Sequence, residues 1–311
     1  MPNTLTQDIL FRQAIVSYAI KFGVTKAAIK YAKTKQYVSF WKCRYDGTMI
    51  SLQKRSHRPY YHPNQHTEQE IKLIRDNRRR CPDEGLIEFW VRLRNKGYTR
   101  TIAGLYRKMV KLGYFANKKV KKRPKSKPME QMKFAGERIQ IDVKVVPRKC
   151  IIAKEEEKWY QYTAIDEYSR IRYIKAYKEH NTYASTQFLI SAINYYKKEH
   201  KIKIKCVQTD NGFEFTNRFS KGNRESLFEK ALREIGIRHK LIRPFTPRHN
   251  GKVERSHRED QKRFYNKKSF YSFEDYDKQL RIHLSKSNNR PMRPLQYMSP
   301  LQYLQQTKGK L

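Results

Sequence analysis

Apolar positions in the first hundred residues recur at helical spacing. Phe11, Ile15, Tyr18 and Ala19 predict a helix over residues 8–22 that Gly23 ends. Thr25 stands where an N-cap would open a short helix carrying Ala28, Ile29 and Ala32. Residues 38–45, with Phe40, Trp41, Lys42 and Arg44, predict a third. The layout then repeats. Thr67 caps a helix through Arg80, and Leu86, Phe89, Trp90 and Leu93 predict another. Gly97 breaks it, and Thr99 starts a last helix with Ile102, Leu105, Arg107, Lys108 and Met109. Short helices around a glycine turn read as helix-turn-helix modules, here at 1–57 and 58–117. The plainer alternative is a small helical bundle with a solvated basic face.

The period changes at 134. Ile139, Ile141, Val143 and Val145 alternate with Arg138, Gln140, Asp142 and Lys144, which is strand spacing, and Pro147 ends the run. Strands are predicted at 159–165 and 171–177, joined through DEYS, and the polar KEEEK stretch before them is a turn. Asn181 or Thr182 caps a helix with Phe188, Leu189, Ala192, Ile193 and Tyr196 on one face. A fourth strand at 202–207 follows. Next come a helix with Leu227, Phe228, Ala231, Leu232 and Ile235 closed by Gly236, and a fifth strand at 237–242. A long helix begins near Asn250. The order predicts an α/β core over 134–268, a mixed five-stranded sheet flanked by helices, with a C-terminal helix and tail at 269–311.

Charge then narrows the partner. The 311 residues hold 69 Lys and Arg against 29 Asp and Glu, a net +40. Such a surface repels itself unless a polyanion neutralises it, which excludes a small neutral metabolite as the default substrate and points to nucleic acid. Residues 118–127, KKVKKRPKSK, hold seven basic residues and a proline. They predict an extended linker over 118–133, with Lys121, Lys122 and Arg123 following phosphates. No apolar run reaches the ~18 residues of a membrane span, and residues 1–10 lack a signal-peptide layout. The four cysteines are far apart with no Cys-x-x-Cys, so neither a disulfide scaffold nor a zinc ribbon is implied, and a reducing cytoplasm fits. His62 and His66 have the spacing of a zinc pair, but only Cys81 follows, and no zinc is expected.

In so basic a chain, carboxylates facing DNA need a reason. Asp142 sits mid-strand. Asp210 follows the apolar end of a strand in VQTDNGFEF. Glu254 lies early in the last helix, in PFTPRHNGKVERSHRED, sharing a face with His257, Arg258 and Gln261. Each alone is ordinary: a strand aspartate usually serves a turn or salt bridge. Together they suit phosphoryl transfer with two Mg²⁺ (or Mn²⁺) ions, which take hard oxygen ligands. Their acidic neighbours are assigned other work. Asp166 caps the hairpin turn, alternation points Glu214 elsewhere, and Glu259 and Asp260 lie past the face of Glu254. His257, Arg255 and Arg258 are candidate phosphate contacts, as are Lys42, Arg44, Arg107 and Lys108 in the helical front. No glycine-rich phosphate loop is present.

The segments IQIDVK, AIDEYSR, VQTDNGFEF and PFTPRHNGKVERSHRE resemble the DDE transposases and retroviral integrases, most of all bacterial insertion-sequence transposases with an integrase catalytic core. The resemblance covers roughly 134–305, and the front fits the family's tandem helix-turn-helix modules more loosely. It implies an RNase H-like fold with Asp142, Asp210 and Glu254 as the metal-binding triad. It also implies cleavage and strand transfer at the ends of a mobile element, on double-stranded DNA, by a dimer or larger assembly. The setting would be the bacterial cytoplasm, on the nucleoid when acting. The 43 residues between Asp210 and Glu254 exceed the family's usual spacing, and the polar loop 216–225 takes up the excess. The alternative is a DNA-binding regulator with an inactive core of the same fold.

Overall fold

Gly23 decides the first turn. At φ +93° it ends α1 (Gln7–Phe22) and itself N-caps α2 (Val24–Lys30), so the reversal needs a single residue and Thr25 falls inside the helix instead of capping it. α3 (Lys35–Arg44) begins earlier than its apolar stripe, because the Thr34 side chain accepts from Tyr37 N–H. Ile15, Ala19, Ala27, Ala28 and Val38 close the centre of this trio. Ile9, Val16, Trp41 and Leu52 close its far side, where buried Arg12 lies 4.4 Å from the Trp41 ring and donates to the Leu52 carbonyl at 2.7 Å.

These helices belong to one of two compact units, residues 1–65 and 66–311. The computed structural model describes residues 7–56, 59, 62–115, 130–152, 158–218, 224–243 and 246–308. The KEEEK turn lies mostly outside the described residues, as do Lys121, Lys122 and Arg123 of the basic linker.

The second unit opens with α4 (Glu68–Arg80), α5 (Leu86–Arg94) and α6 (Ile102–Lys111) around Ile74, Phe89, Leu93, Tyr98, Leu105 and Met109. Thr67 and Glu70 form a reciprocal capping box on α4. Thr101, not Thr99, caps α6, since its hydroxyl is the one that reaches the Gly104 N–H. Glu88 on α5 ties this trio to the sheet-bearing part through Arg263 at 3.0 Å and Arg290 at 2.9 Å.

Five strands follow: β1 (Ile139–Val145), β2 (Tyr160–Asp166), β3 (Arg172–Tyr177), β4 (Cys206–Thr209) and β5 (Arg238–Leu241), in the order β3-β2-β1-β4-β5. The first three form an antiparallel meander, and β4 and β5 run parallel to β1. The parallel pairings are reached through α7 (Thr182–His200), capped by Asn181, and α8 (Leu227–Ile235), capped by Ser226 and closed by Gly236 at φ +73°. β4 is shorter than its sequence pattern. Ile202 and Ile204 are buried, but Lys205 N–H donates to the Gly136 carbonyl at 2.8 Å, so residues 202–205 brace a turn before joining the ladder. A Cβ on Gly136 would lie 2.3 Å from the Lys203 carbonyl oxygen, which requires glycine there.

One sheet face is apolar. Ile139, Ile141, Tyr162, Ala164 and Val207 pack on Phe188, Leu189, Ala192 and Tyr196 of α7 and on Phe228 and Leu232 of α8. The other face is polar and nonetheless buried: Gln140 is 1% exposed, Gln161 and Thr163 are 0% and Gln208 is 3%. Its cover is α9 (Gly251–Asp260), followed by a π turn (Gln261–Tyr265) and α10 (Phe273–Asn288). The C-terminal end of α9 is fixed by Asp260, which takes Arg172 of β3 at 2.6 and 2.9 Å, His283 of α10 at 2.7 Å and Gln161 of β2 at 2.9 Å.

Burial works to raise the Asp260 pKa, but Arg172 and His283 outweigh it and hold the carboxyl well below its ordinary range. A depressed folded-state pKa gives stability that is present above the ordinary value of 3.8 and is lost as pH falls through the lower folded value. Asp260→Ala strands Arg172 in the interior, so it should cost about 3–5 kcal/mol in urea unfolding at neutral pH. Glu259→Gln, on the more open side of the same helix, should cost under about 1 kcal/mol.

Candidate active site

β1 and β4 are parallel neighbours in which Gln140 pairs with Gln208. Two residues further along each strand stand Asp142 and Asp210, so the period of two puts both carboxylates on the polar face, side by side. Asp142 Oδ1 accepts from Val143 N–H at 3.0 Å, and its Oδ2 lies 3.3 Å from His257 Nδ1. Asp210 is the first residue beyond β4. Its Oδ1 accepts from Gly212 N–H at 3.0 Å, and Asn211 ties the turn to the end of β5 by donating to the Ile242 carbonyl at 3.1 Å. Burial pushes the Asp210 pKa up, the negative charges of Asp142 and Glu214 push it further, and the Gly212 N–H and His180 pull against them.

Glu214 therefore sits beside the pair, contrary to the alternation rule. That rule fails because 210–215 is a turn, in which Gly212 accepts from the N–H groups of Phe215 and Thr216. The buried Glu214 carboxylate lies 2.9 Å from His180 Nε2, though not in hydrogen-bond alignment. Asp166 is as the sequence places it, accepting from Ser169 N–H at 2.7 Å and Ser169 Oγ at 2.6 Å, and also from Gly136 N–H at 3.0 Å. Burial raises its pKa.

α9 brings the third carboxylate. Gln140 Oε1 accepts from Lys252 and Val253 N–H at 3.2 and 3.1 Å, and Glu254 is the next residue. One turn on, His257 is buried between Asp142 and Thr163, whose Oγ1 is 3.0 Å from its Nε2. His257 is thus a bridge between helix and sheet, not a phosphate contact. Glu254 shares its helix face. It is half-buried and has no hydrogen-bond or ion-pair partner among the described residues. The structure sets Asp142 and Asp210 near each other, while Glu254 is placed only through its helix, one residue past the Val253 N–H that Gln140 holds. Among the described residues no three His, Cys, Asp or Glu side chains are gathered closely enough to hold a metal ion.

The Integrase core domain family matches residues 134–247, and a second family of that description matches residues 235–300. The two matches run through the whole sheet and all of α9 and α10. The chain belongs to the DDE transposase and retroviral-integrase superfamily. Its mixed sheet is the RNase H-like integrase core. A 131-residue stretch is 32% identical to ORF3 of Spiroplasma virus SpV1-C74, whose name proposes an integrase; this is 40% of the chain and 35% of that protein, so the chain spans about a third of that relative's length. Among solved structures, a simian T-cell lymphotropic virus intasome bound to a PP2A regulatory subunit matches with TM-score 0.43 and 18% identity, over 58% of this chain and 60% of that one. The HTLV-2 integrase catalytic core in complex with magnesium matches with TM-score 0.39 and 17% identity, over 54% and 95%. The catalytic core of BIV integrase matches with TM-score 0.39 and 16% identity, over 56% and 97%.

The basic residues of this integrase-core protein divide by what they already hold. Lys42, Arg107, Arg255 and Arg258 are exposed and Lys108 is half-exposed. Arg44 is committed to its own fold, packing 5.1 Å from the Trp41 ring and donating to the Gln53 carbonyl at 2.6 Å. Lys252 bonds Glu167, which also takes Arg138 at 2.5 Å. Among the described residues no helix is long and apolar enough to cross a membrane. Sequence reasoning passed over Gln140 and Gln208. The signal was present, since each stands two residues before an aspartate, in IQID and VQTD.

Asp142 and Asp210 present hard oxygen donors side by side, which fits Mg²⁺. Asp210 is held above its ordinary value of 3.8, so ionising it costs the fold stability, and the cost grows as pH rises through its folded pKa. Without added metal, Asp210→Asn should raise the melting temperature near neutral pH. The gain should shrink as the pH is lowered toward 3.8, where the aspartate protonates. A variant melting no higher than the parent near neutral pH would contradict this.

Proposed function

We propose that this chain is a transposase that binds the ends of its own mobile element and catalyses metal-dependent cleavage and strand transfer of double-stranded DNA. The observation that carries the proposal is that Asp142 and Asp210 stand two residues past the paired Gln140 and Gln208 of neighbouring parallel strands, with the start of α9, the helix that bears Glu254, bonded to Gln140. Membership of the superfamily supports it. On this reading Asp142, Asp210 and Glu254 hold two Mg²⁺ (or Mn²⁺) ions, which when bound supply positive charge to an attacking and a departing oxygen.

The remaining work is done by the chain itself. Each aspartate is fixed by a local backbone hydrogen bond, and Asp142 also by His257, so they are set before DNA arrives. Exposed Arg255 and Arg258 on α9 flank that face and hold phosphates. In the first step water attacks a phosphodiester at the element end, breaking its P–O3′ bond and freeing a 3′-OH. In the second that hydroxyl attacks a target phosphodiester, forming one P–O bond as another breaks, with no covalent protein intermediate.

The helical modules at 1–57 and 58–117, joined through 118–133 to the core at 134–268 and the tail at 269–311, would read the element ends. Lys42, Arg107, Lys108 and the linker residues Lys121, Lys122 and Arg123 would make phosphate contacts. Two ends must be joined, so a homodimer or larger assembly on DNA is expected. The working compartment is the bacterial cytoplasm.

Asp142→Asn, Asp210→Asn and Glu254→Gln should each lower nicking and strand transfer on element-end DNA by roughly 10³-fold or more, with double variants little worse than single ones because the groups act as a unit. DNA binding should be kept or tightened. Glu259→Gln should stay active. If Glu254→Gln nicks at the parental rate while Glu259→Gln does not, the ligand assignment is wrong. If all three triad variants transpose fully, the regulator with an inactive core takes the place of the enzyme.

End binding by the full chain should weaken with salt along a log–log slope of about −0.9 per phosphate contacted, and Lys42→Ala should lower that slope by about one contact. A slope unchanged in Lys42→Ala removes that residue from the DNA interface.

A further inference from the structure

α9 begins without a cap of its own. The first turn of a helix leaves backbone N–H groups with no intrahelical acceptor, and a side chain at the N-cap normally supplies one. Asn250 holds that position and makes no side-chain cap hydrogen bond. The acceptor comes instead from the sheet, 112 and 113 residues earlier in the chain: Gln140 Oε1 takes both Lys252 N–H at 3.2 Å and Val253 N–H at 3.1 Å. Gln140 Nε2 meanwhile donates to the His249 carbonyl at 2.8 Å. Gln208 Nε2 donates to that same carbonyl at 3.0 Å and to Asn250 Oδ1 at 3.3 Å.

We infer that Gln140 and Gln208 are positioning residues that latch the start of α9 to β1 and β4 and thereby fix the register in which α9 presents Glu254 toward the strands that bear Asp142 and Asp210; this rests on the proposed transposase reading of the triad. The register supports it. Gln140 and Gln208 are paired across the two strands, and each stands two residues before its aspartate on the same face. One rung of side chains clamps residues 249–253, and the next rung carries the carboxylates. Both glutamines are buried and so require partners. Val253, held by its N–H, is directly followed by Glu254. A slip of one residue at this clamp would turn Glu254 by about 100° around the helix axis. Misplacement of about 1 Å at a reacting centre costs on the order of 10²-fold in rate.

The chemistry demands a carboxamide at 140. The group must donate to one carbonyl and accept from two N–H groups at once. Leucine can do neither, and an ionised glutamate can accept but not donate. Gln140→Leu should therefore lower kcat for nicking by on the order of 10²-fold with KM for element-end DNA within about twofold. Gln140→Glu should fall between it and the parent. Gln208→Leu, which removes only donors, should be milder than Gln140→Leu and remains informative if Gln140→Leu fails to fold.

The independent readout is amide hydrogen exchange on the full chain without metal. Gln140→Leu should speed exchange at Lys252 and Val253 by tenfold or more while Tyr162 and Ala164 in β2 stay protected. Parental protection at 252 and 253 overturns the latch, as does a parental kcat in folded Gln140→Leu. If the unmutated protein neither nicks nor transfers strands, the transposase reading fails, while the exchange result still decides whether the glutamines hold the helix.

Discussion

Two glutamine carboxamides, from β1 and β4, converge on the carbonyl of His249, and the geometry of the core follows from that clamp. From there α9 crosses the sheet strand by strand. Gln208 and Gln140 hold its start, His257 reaches Thr163 of β2, and Asp260 meets Gln161 of β2 and Arg172 of β3. A helix packed by apolar side chains alone can slide or rotate at little cost. One fixed by directional hydrogen bonds to four strands cannot, because each lost bond leaves a buried polar group unsatisfied. The polar side of the sheet is an attachment surface. This is why Gln140, Gln161, Thr163 and Gln208, polar as they are, are nearly inaccessible in the fold.

What was legible in the sequence was local. The caps at Thr67 and Asn181 and the closure at Gly236 depend on partners within four residues, so adjacency in the chain encodes them. The sheet's strands followed from the strand-like apolar runs, as did the candidates Asp142 in mid-strand and Asp210 just past the apolar end of another. Errors arose where a second local option competed. Thr25 lost to Gly23, whose positive φ had already started the helix, and Thr99 lost to Thr101. The alternation that turned Glu214 away assumed a strand where the chain makes a turn.

Long-range partners were the illegible part. Nothing near Gln140 announces His249, 109 residues away, and nothing near His257 announces Thr163, 94 residues away. A residue class does not reveal them either. Glutamine and histidine on an alternating or helical face are most often solvated, and only the topology that places α9 over β1 and β4 converts them into structural contacts. The repeated Gln-x-Asp spacing was the one trace of this arrangement in the primary structure. It becomes meaningful only once β1 and β4 are known to be parallel neighbours.

Charge separates the two kinds of carboxylate in this core. Glu88, Glu167 and Asp260 are each neutralised by arginine or lysine, and each joins elements that would otherwise separate. Asp142, Asp210 and Glu254 are not paired in this way, in a chain with 69 basic residues to choose from. Asp142 has a histidine and a backbone amide, Asp210 a backbone amide, and Glu254 no partner among the described residues. A guanidinium at that point would stabilise the fold, since its charge would offset the burial, and with it the neighbouring negative charges, that lift the Asp210 pKa. It would also occupy the space and satisfy the oxygens that a divalent cation needs. Leaving the charges uncompensated sacrifices stability at one place, and on the proposed reading that sacrifice is what keeps the oxygens available for ions that arrive with the DNA.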